Sequence, residues 1–147
     1  MVLPNVKINR RSFVFVDTSA LVAILVNSDL LHRDAVQLMA ELREKEAQIV
    51  TTEMIFFELA NSLSAIRYRN TAIGLIDQLR QMNNLEIMWS NPDLFESATD
   101  MYRTRPDKEW SLTDCASFVV MNDRNISIAF TADKHFEQAG FVKRLAN

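Results

Sequence analysis

Four carboxylates in this chain occupy positions at which a ligand can meet them. Asp17 directly follows the apolar run Phe13-Val-Phe-Val16, and Asp133 lies in Thr131-Ala-Asp133, just past Ile126-Ser-Ile-Ala-Phe130. Glu58 interrupts Met54-Ile-Phe-Phe-Glu-Leu-Ala60, Asp114 interrupts Leu112-Thr-Asp-Cys-Ala-Ser-Phe118, and neither has a basic residue within a helical turn. An acid among such neighbours is paired, protonated or bound to a metal, because an isolated buried charge is costly. Oxygen donors without a His or Cys partner select Mg²⁺ or Mn²⁺. The chemistry such a cluster supports is phosphodiester hydrolysis: the ion offsets phosphate charge, lowers the pKa of a bound water and stabilises the leaving oxygen. Taken one at a time, the same acids also read as helix caps or solvent-facing helix residues.

The elements that must position them follow from the hydrophobic pattern. Ser12–Val16 reads as a strand buried on both faces, followed by a helix over Ala20–Val26 capped by Thr18 or Ser19. An amphipathic helix with Leu31, Ala35, Leu38, Met39 and Leu42 runs to about Glu46, and Gln48–Thr51 is a weak second strand. Ile55, Leu59, Leu63 and Ile66 recur at helical spacing, and the pattern resumes with Ile73, Ile76 and Leu79, which predicts two helices meeting around Asn70. Leu85–Trp89 alternates as a third strand. Pro92 opens a helix that runs to about Thr104 and Pro106 stops it; a polar loop, Arg105 to Trp110, follows. Ser111–Met121 reads as a mostly buried helix, Ile126–Phe130 as a fourth strand, and Asp133–Gln138 as a short helix closed by Gly140. This alternation predicts an α/β fold, a three-layer α/β/α sandwich with a central parallel sheet. Ligands of such sheets bind beyond the carboxyl ends of the strands, so Asp17 and Asp133 share a crevice if the first and fourth strands are neighbours.

Bulk properties narrow the function classes. At 147 residues one domain is expected, with residues 1–11 as an N-terminal extension and 12–147 as the domain. The chain has only Gly74 and Gly140, too few for a Rossmann or P-loop phosphate cradle. A single cysteine, Cys115, allows no internal disulfide and no Cys-based zinc site, which fits a reducing, cytoplasmic setting; no targeting or transmembrane segment is legible. Sixteen basic against nineteen acidic residues give a net charge of -3, which by itself speaks against a chain that coats nucleic acid. Four of those acids are the ones above, and without them the chain is at +1.

In order, spacing and context these motifs resemble the PIN-domain family, specifically its VapC-like toxin ribonucleases, from about Phe13 to Leu145. Val14-Phe-Val-Asp17-Thr-Ser19-Ala-Leu resembles the opening strand and turn, and Glu58-Leu-Ala-Asn61-Ser-Leu the helix with the family's glutamate. Ser111-Leu-Thr-Asp114-Cys-Ala-Ser and Thr131-Ala-Asp133-Lys-His-Phe-Glu-Gln-Ala-Gly140-Phe resemble the third and fourth acidic motifs. The resemblance implies a PIN-like fold and a Mg²⁺- or Mn²⁺-dependent endoribonuclease. Asp17, Glu58, Asp114 and Asp133 would be both its metal ligands and its catalytic residues, with Ser19 and Thr131 as hydroxyls that hold carboxylates or waters. It implies attack by a metal-activated water on single-stranded or loop RNA, and, in a toxin, a small antitoxin partner that presents a basic side chain to the carboxylates. The extension Met1–Arg11 departs from the shortest members. Apolar helices between Glu53 and Met82 suggest a homodimer face.

Other residues are set aside or held as secondary. Arg105 and Lys108, in the loop ahead of Asp114, are candidates for RNA phosphate contacts. His135, two residues from Asp133, is in reach of a metal or substrate, yet it and His32 read rather as surface or packing residues, and Cys115, Phe56, Phe57 and Phe118 as core. A haloacid-dehalogenase-type phosphatase needs an acid two residues after Asp17, where Ser19 stands, and a receiver domain needs an acidic pair where Val16 precedes Asp17. A catalytically silent PIN-like binding module and a housekeeping RNA-processing nuclease remain as alternatives to the toxin.

Overall fold

The run Phe13-Val-Phe-Val16, apolar on both faces, becomes the central strand β1 (Phe13–Val16) of a five-stranded sheet in a computed structural model that describes residues 6–145. The chain then forms α1 (Thr18–Leu25), α2 (His32–Glu44), β2 (Gln48–Thr52), α3 (Glu53–Ser62), α4 (Ile66–Gln81) and β3 (Leu85–Met88). It continues with α5 (Pro92–Thr104), α6 (Leu112–Asp123), β4 (Ile128–Phe130), α7 (Lys134–Gln138) and β5 (Val142–Lys143). All pairings are parallel and the strand order is β3-β2-β1-β4-β5. Helix α1 packs on α2, α3 and α4, while α6 packs on α5 and α7. This is the expected α/β fold, a parallel sheet flanked by helices.

The order places a topological switch at β1. The chain leaves it toward β2 on one side and returns to β4 on the other, which opens a crevice at the carboxyl ends of these two strands. The ladder runs one residue past β1, because the Asp17 amide donates to the Phe130 carbonyl at 3.1 Å. The Thr51 hydroxyl donates to the Val16 carbonyl at 2.9 Å and ties β2 to the same strand end.

Several local expectations are corrected. The cap of α1 is Asp17, whose carboxylate accepts from the Ser19 amide, not Thr18 or Ser19. The two long helices separate at Leu63–Ala65, not at Asn70, which lies exposed inside α4. The apolar stripe changes phase there: Leu63 is buried and Ile66 is 92% exposed. Strand β4 begins at Ile128, because Asn125 adopts a left-handed φ of 52° and the Ile126 amide turns back to the Met121 carbonyl to close α6. A fifth strand, β5, joins the edge. Phe57, expected in the core, is 67% exposed, whereas Phe56 and Phe118 are buried. In the N-terminal segment, residues 1–5 lie outside the described residues; Ile8 is buried in the core and the Val6 carbonyl accepts from Arg144 Nη1 at 3.0 Å. Among the described residues no helix is long and apolar enough to cross a membrane.

Candidate metal centre

Asp17 is held at the end of β1 by its own backbone ladder and is only 4% exposed. Three donors converge on its Oδ2: the Thr131 hydroxyl at 2.8 Å, the Ser19 hydroxyl at 3.0 Å and the Ser19 amide at 3.4 Å. Ser19 Oγ also lies 3.0 Å from Thr131 Oγ1, so two hydroxyl protons serve three close oxygen contacts. Burial, opposed by these hydrogen bonds and reinforced by the nearby Asp114 carboxylate, raises the Asp17 pKa from 3.8 to about 6.

Thr131 and Ser19 connect this carboxylate to the β4 side. Thr131 Oγ1 accepts from the Asp133 amide at 3.0 Å, and Ser19 Oγ accepts from the Ala132 amide at 3.0 Å. Both hydroxyls therefore hold the Asp17 carboxylate and fix the turn that carries Asp133. Asp133 caps α7 by accepting from the His135 amide at 2.8 Å.

Asp114 comes from the first turn of α6, where Ser111 and Asp114 form a reciprocal capping box. Its Oδ2 accepts from the Ser111 amide at 3.0 Å and lies 3.0 Å from His135 Nδ1. The same ring nitrogen stands 3.5 Å from Asp133 Oδ2. An aromatic cluster fixes this geometry from below. Phe118, one turn beyond Asp114, meets Trp110 and Phe136 edge-on, each at 5.0 Å, and Phe136 directly follows His135. Helices α6 and α7 are thereby locked together, and with them the side chains that face each other above.

Among the described residues Asp114, Asp133 and His135 offer ligand atoms within 4.8 Å of one another. No lysine or arginine forms an ion pair with Asp17, Asp114 or Asp133 among those residues; their one such partner is His135, on Asp114 and Asp133. Two carboxylates and an imidazole at this spacing, with the buried Asp17 carboxylate near enough for Asp114 to raise its pKa, are a donor set that fits a divalent cation, which would relieve the repulsion. Neither Asp17 nor Glu58 is in this group of three; Asp17 is joined to it through Thr131, which donates to Asp17 and accepts from the Asp133 amide, and Glu58 is not joined to it. Glu58 lies half-buried on α3, and no hydrogen bond or ion pair of its carboxylate occurs among the described residues.

At His135 the geometry favours the reading that the sequence ranks second. This residue was expected at the surface or in packing, and its side chain is 18% exposed between two carboxylates. Its position two residues beyond Asp133 carried the signal, but only the docking of α7 on α6 shows which way the ring turns. His32 is a packing residue as expected, its Nδ1 2.8 Å from the Ala23 carbonyl. Cys115 is fully buried, and burial together with the adjacent Asp114 carboxylate pushes its thiol up, which suits a core residue.

Arg105 and Lys108 line a surface groove of about 790 Å³ together with Tyr102, Arg103, Trp110 and Ser111. The groove reaches the acidic cluster through Ser111, whose amide holds Asp114. The Arg105 guanidinium lies 4.8 Å from the centre of the Trp110 ring, and both cations pair with Asp107, at 3.1 Å for Arg105 and 3.5 Å for Lys108.

The model of the PIN domain matches residues 14–142. The 23S rRNA-specific endonuclease VapC20 of Mycobacterium tuberculosis is 28% identical over 130 residues, covering 88% of this chain and 96% of that protein. The crystal structure of M. tuberculosis VapC20, a sarcin-ricin loop cleaving toxin, superposes with a TM-score of 0.78 at 27% identity over 88% of this chain and 96% of its own. VapBC2 from Rickettsia felis, crystallised with a DNA fragment from its promoter, gives a TM-score of 0.61 at 12% identity, over 89% of this chain and 96% of that one, a likeness of fold.

Proposed function

The chain belongs to the PIN-domain family, and from that premise we propose that it is a metal-dependent endoribonuclease that hydrolyses single-stranded or loop RNA, the toxin of a toxin–antitoxin pair. The observation that carries this reading is the placing of Asp17 at the carboxyl end of β1, tied through Thr131 to the turn of Asp133 after β4, and of Asp114 on α6 close to Asp133 and His135, with no lysine or arginine paired to the three acids among the described residues. Asp17, Asp114 and Asp133 would hold Mg²⁺ or Mn²⁺, and Glu58 would reach in from α3 as the fourth acid. A divalent ion bound there supplies charge neutralisation and activates water for attack on phosphorus.

The remaining work falls to the protein. Ser19 and Thr131 orient the Asp17 carboxylate and keep water from its Oδ2. The groove beside Ser111 receives the RNA strand, with Arg105 and Lys108 against its phosphates; each must trade its contact with Asp107 for that role. The kinship with VapC20 makes a structured loop of ribosomal RNA the first substrate to try. By the same kinship the chain would act in the cytoplasm, pair with a small antitoxin and form a homodimer.

The test is cleavage of a sarcin-ricin-type stem-loop and an unstructured RNA strand in Mn²⁺, Mg²⁺ and EDTA. Wild type should cut the loop in metal and not in EDTA, and Asp17→Asn and Asp114→Asn should each lose about a thousandfold in rate. Equal cleavage by both variants would reject the nuclease site, and binding without turnover under all metal conditions would favour a silent module.

A further inference from the structure

We infer that His135 gives this metal centre a nitrogen ligand, and that the site therefore takes a first-row transition ion such as Mn²⁺ in preference to Mg²⁺. The inference rests on the metal-centre reading above and concerns the one donor that an all-oxygen site lacks.

His135 Nδ1 is 3.0 Å from Asp114 Oδ2 and 3.5 Å from Asp133 Oδ2. Adjacent ligands on an octahedral ion with bonds of about 2.1 Å stand about 3 Å apart, so these atoms already have the spacing of neighbouring ligands on one ion. The ring is also held: its backbone amide is fixed to Asp133 Oδ1 at 2.8 Å, and Phe136 behind it is fully buried. A neutral imidazole with its proton on Nε2 offers the Nδ1 lone pair, and Nδ1 is the nitrogen turned toward the carboxylates.

Mg²⁺ binds oxygen and gives up its water reluctantly, so it gains little from an imidazole that occupies a coordination position. Transition ions gain from nitrogen. A ring that only donated a hydrogen bond to Asp114 would orient that carboxylate without discriminating between the two ions, and this difference makes the role testable apart from turnover.

The experiment is pulsed EPR on Mn²⁺ added to the full chain, with calorimetric titration of Mn²⁺ and Mg²⁺, for wild type, His135→Asp and His135→Gln. Wild type should show the ¹⁴N modulation of a directly bound imidazole. His135→Asp should bind Mn²⁺ without it, and its preference for Mn²⁺ over Mg²⁺ should shrink by about tenfold. Mn²⁺ bound to wild type with no nitrogen coupling overturns the inference and leaves the metal centre standing, and the wild-type spectrum needs no variant to fold. An unchanged Mn²⁺ to Mg²⁺ ratio in His135→Asp overturns it as well. Failure of both ions to bind wild type overturns the metal centre itself, and the inference with it.

Discussion

Asp17 and Glu58 follow neighbouring strands of one sheet and live in opposite surroundings. Asp17 ends β1, is 4% exposed, and has three donors on a single oxygen. Glu58 lies farther on, inside α3, half-buried and without a polar partner among the described residues. The fold has therefore committed Asp17 to one geometry at a cost in stability, and has committed nothing to Glu58. A proposed catalytic acid can be built into the framework or carried on it, and mutations should tell the two apart.

The largest effect should come from Asp17→Asn in EDTA. Burial raises the pKa of Asp17 in the folded state from 3.8 to about 6, so the folded chain binds this proton more tightly than the unfolded chain does. The contribution is fully present below pH 3.8, is lost as pH rises through about 6, and stays lost above that. The shift corresponds to about 3 kcal/mol at most. Urea denaturation should find Asp17→Asn more stable than wild type by about 2 kcal/mol at pH 8, with the difference closing toward pH 4. A constant difference at both pH values would mean that burial does not penalise this carboxylate.

Thr131→Val should come next. It removes the 2.8 Å donor to Asp17 and the acceptor of the Asp133 amide from a fully buried position, leaving Asp17 Oδ2 with the Ser19 donors alone and the Asp133 amide without its acceptor. A loss of about 1–2 kcal/mol at neutral pH is expected from the same denaturation measurement. Unaltered stability would show that the hydroxyl is dispensable to the framework.

The smallest change belongs to Glu58→Gln, which should leave metal-free stability within about 0.5 kcal/mol of wild type while lowering RNA cleavage. A destabilisation like that of Thr131→Val would mean that Glu58 is built in after all, and the contrast with Asp17 would fall.

Much of this arrangement was legible in the sequence, for reasons that can be named. The apolar run Phe13–Val16 reads as a strand of a parallel sheet, buried from Val14 to Val16 although Phe13 at its start is exposed, and an acid at its end lies at the mouth of that sheet. The helix-cap reading of Asp17 and Asp133 holds, since both are N-caps, and Asp114, which reads as solvent-facing if taken alone, is buried and completes a capping box; capping therefore leaves each carboxylate in place at the candidate site. What was hidden depended on packing. Asn70 looks like a helix breaker, but the propensity cost of one exposed Asn is small against the burial of Ala72, Leu75 and Leu79 that α4 secures. The two residues of β5 are too short to carry a period, and the turn of His135 toward the acids is decided by the aromatic cluster beneath it.

The hydrogen bond between Thr131 and Asp17 spans 114 positions of sequence. A growing chain that has completed β1 through α6 already carries Asp17, Glu58 and Asp114, but β1 still lacks β4, the Asp17 carboxylate lacks a donor, and Asp133 and His135 do not yet exist. Such a fragment holds three of the acids without the turn that sets Asp133 and His135 beside Asp114. Pairing of β4 with β1 therefore sets when the acidic cluster forms as well as where, since it comes after most of the fold in chain order.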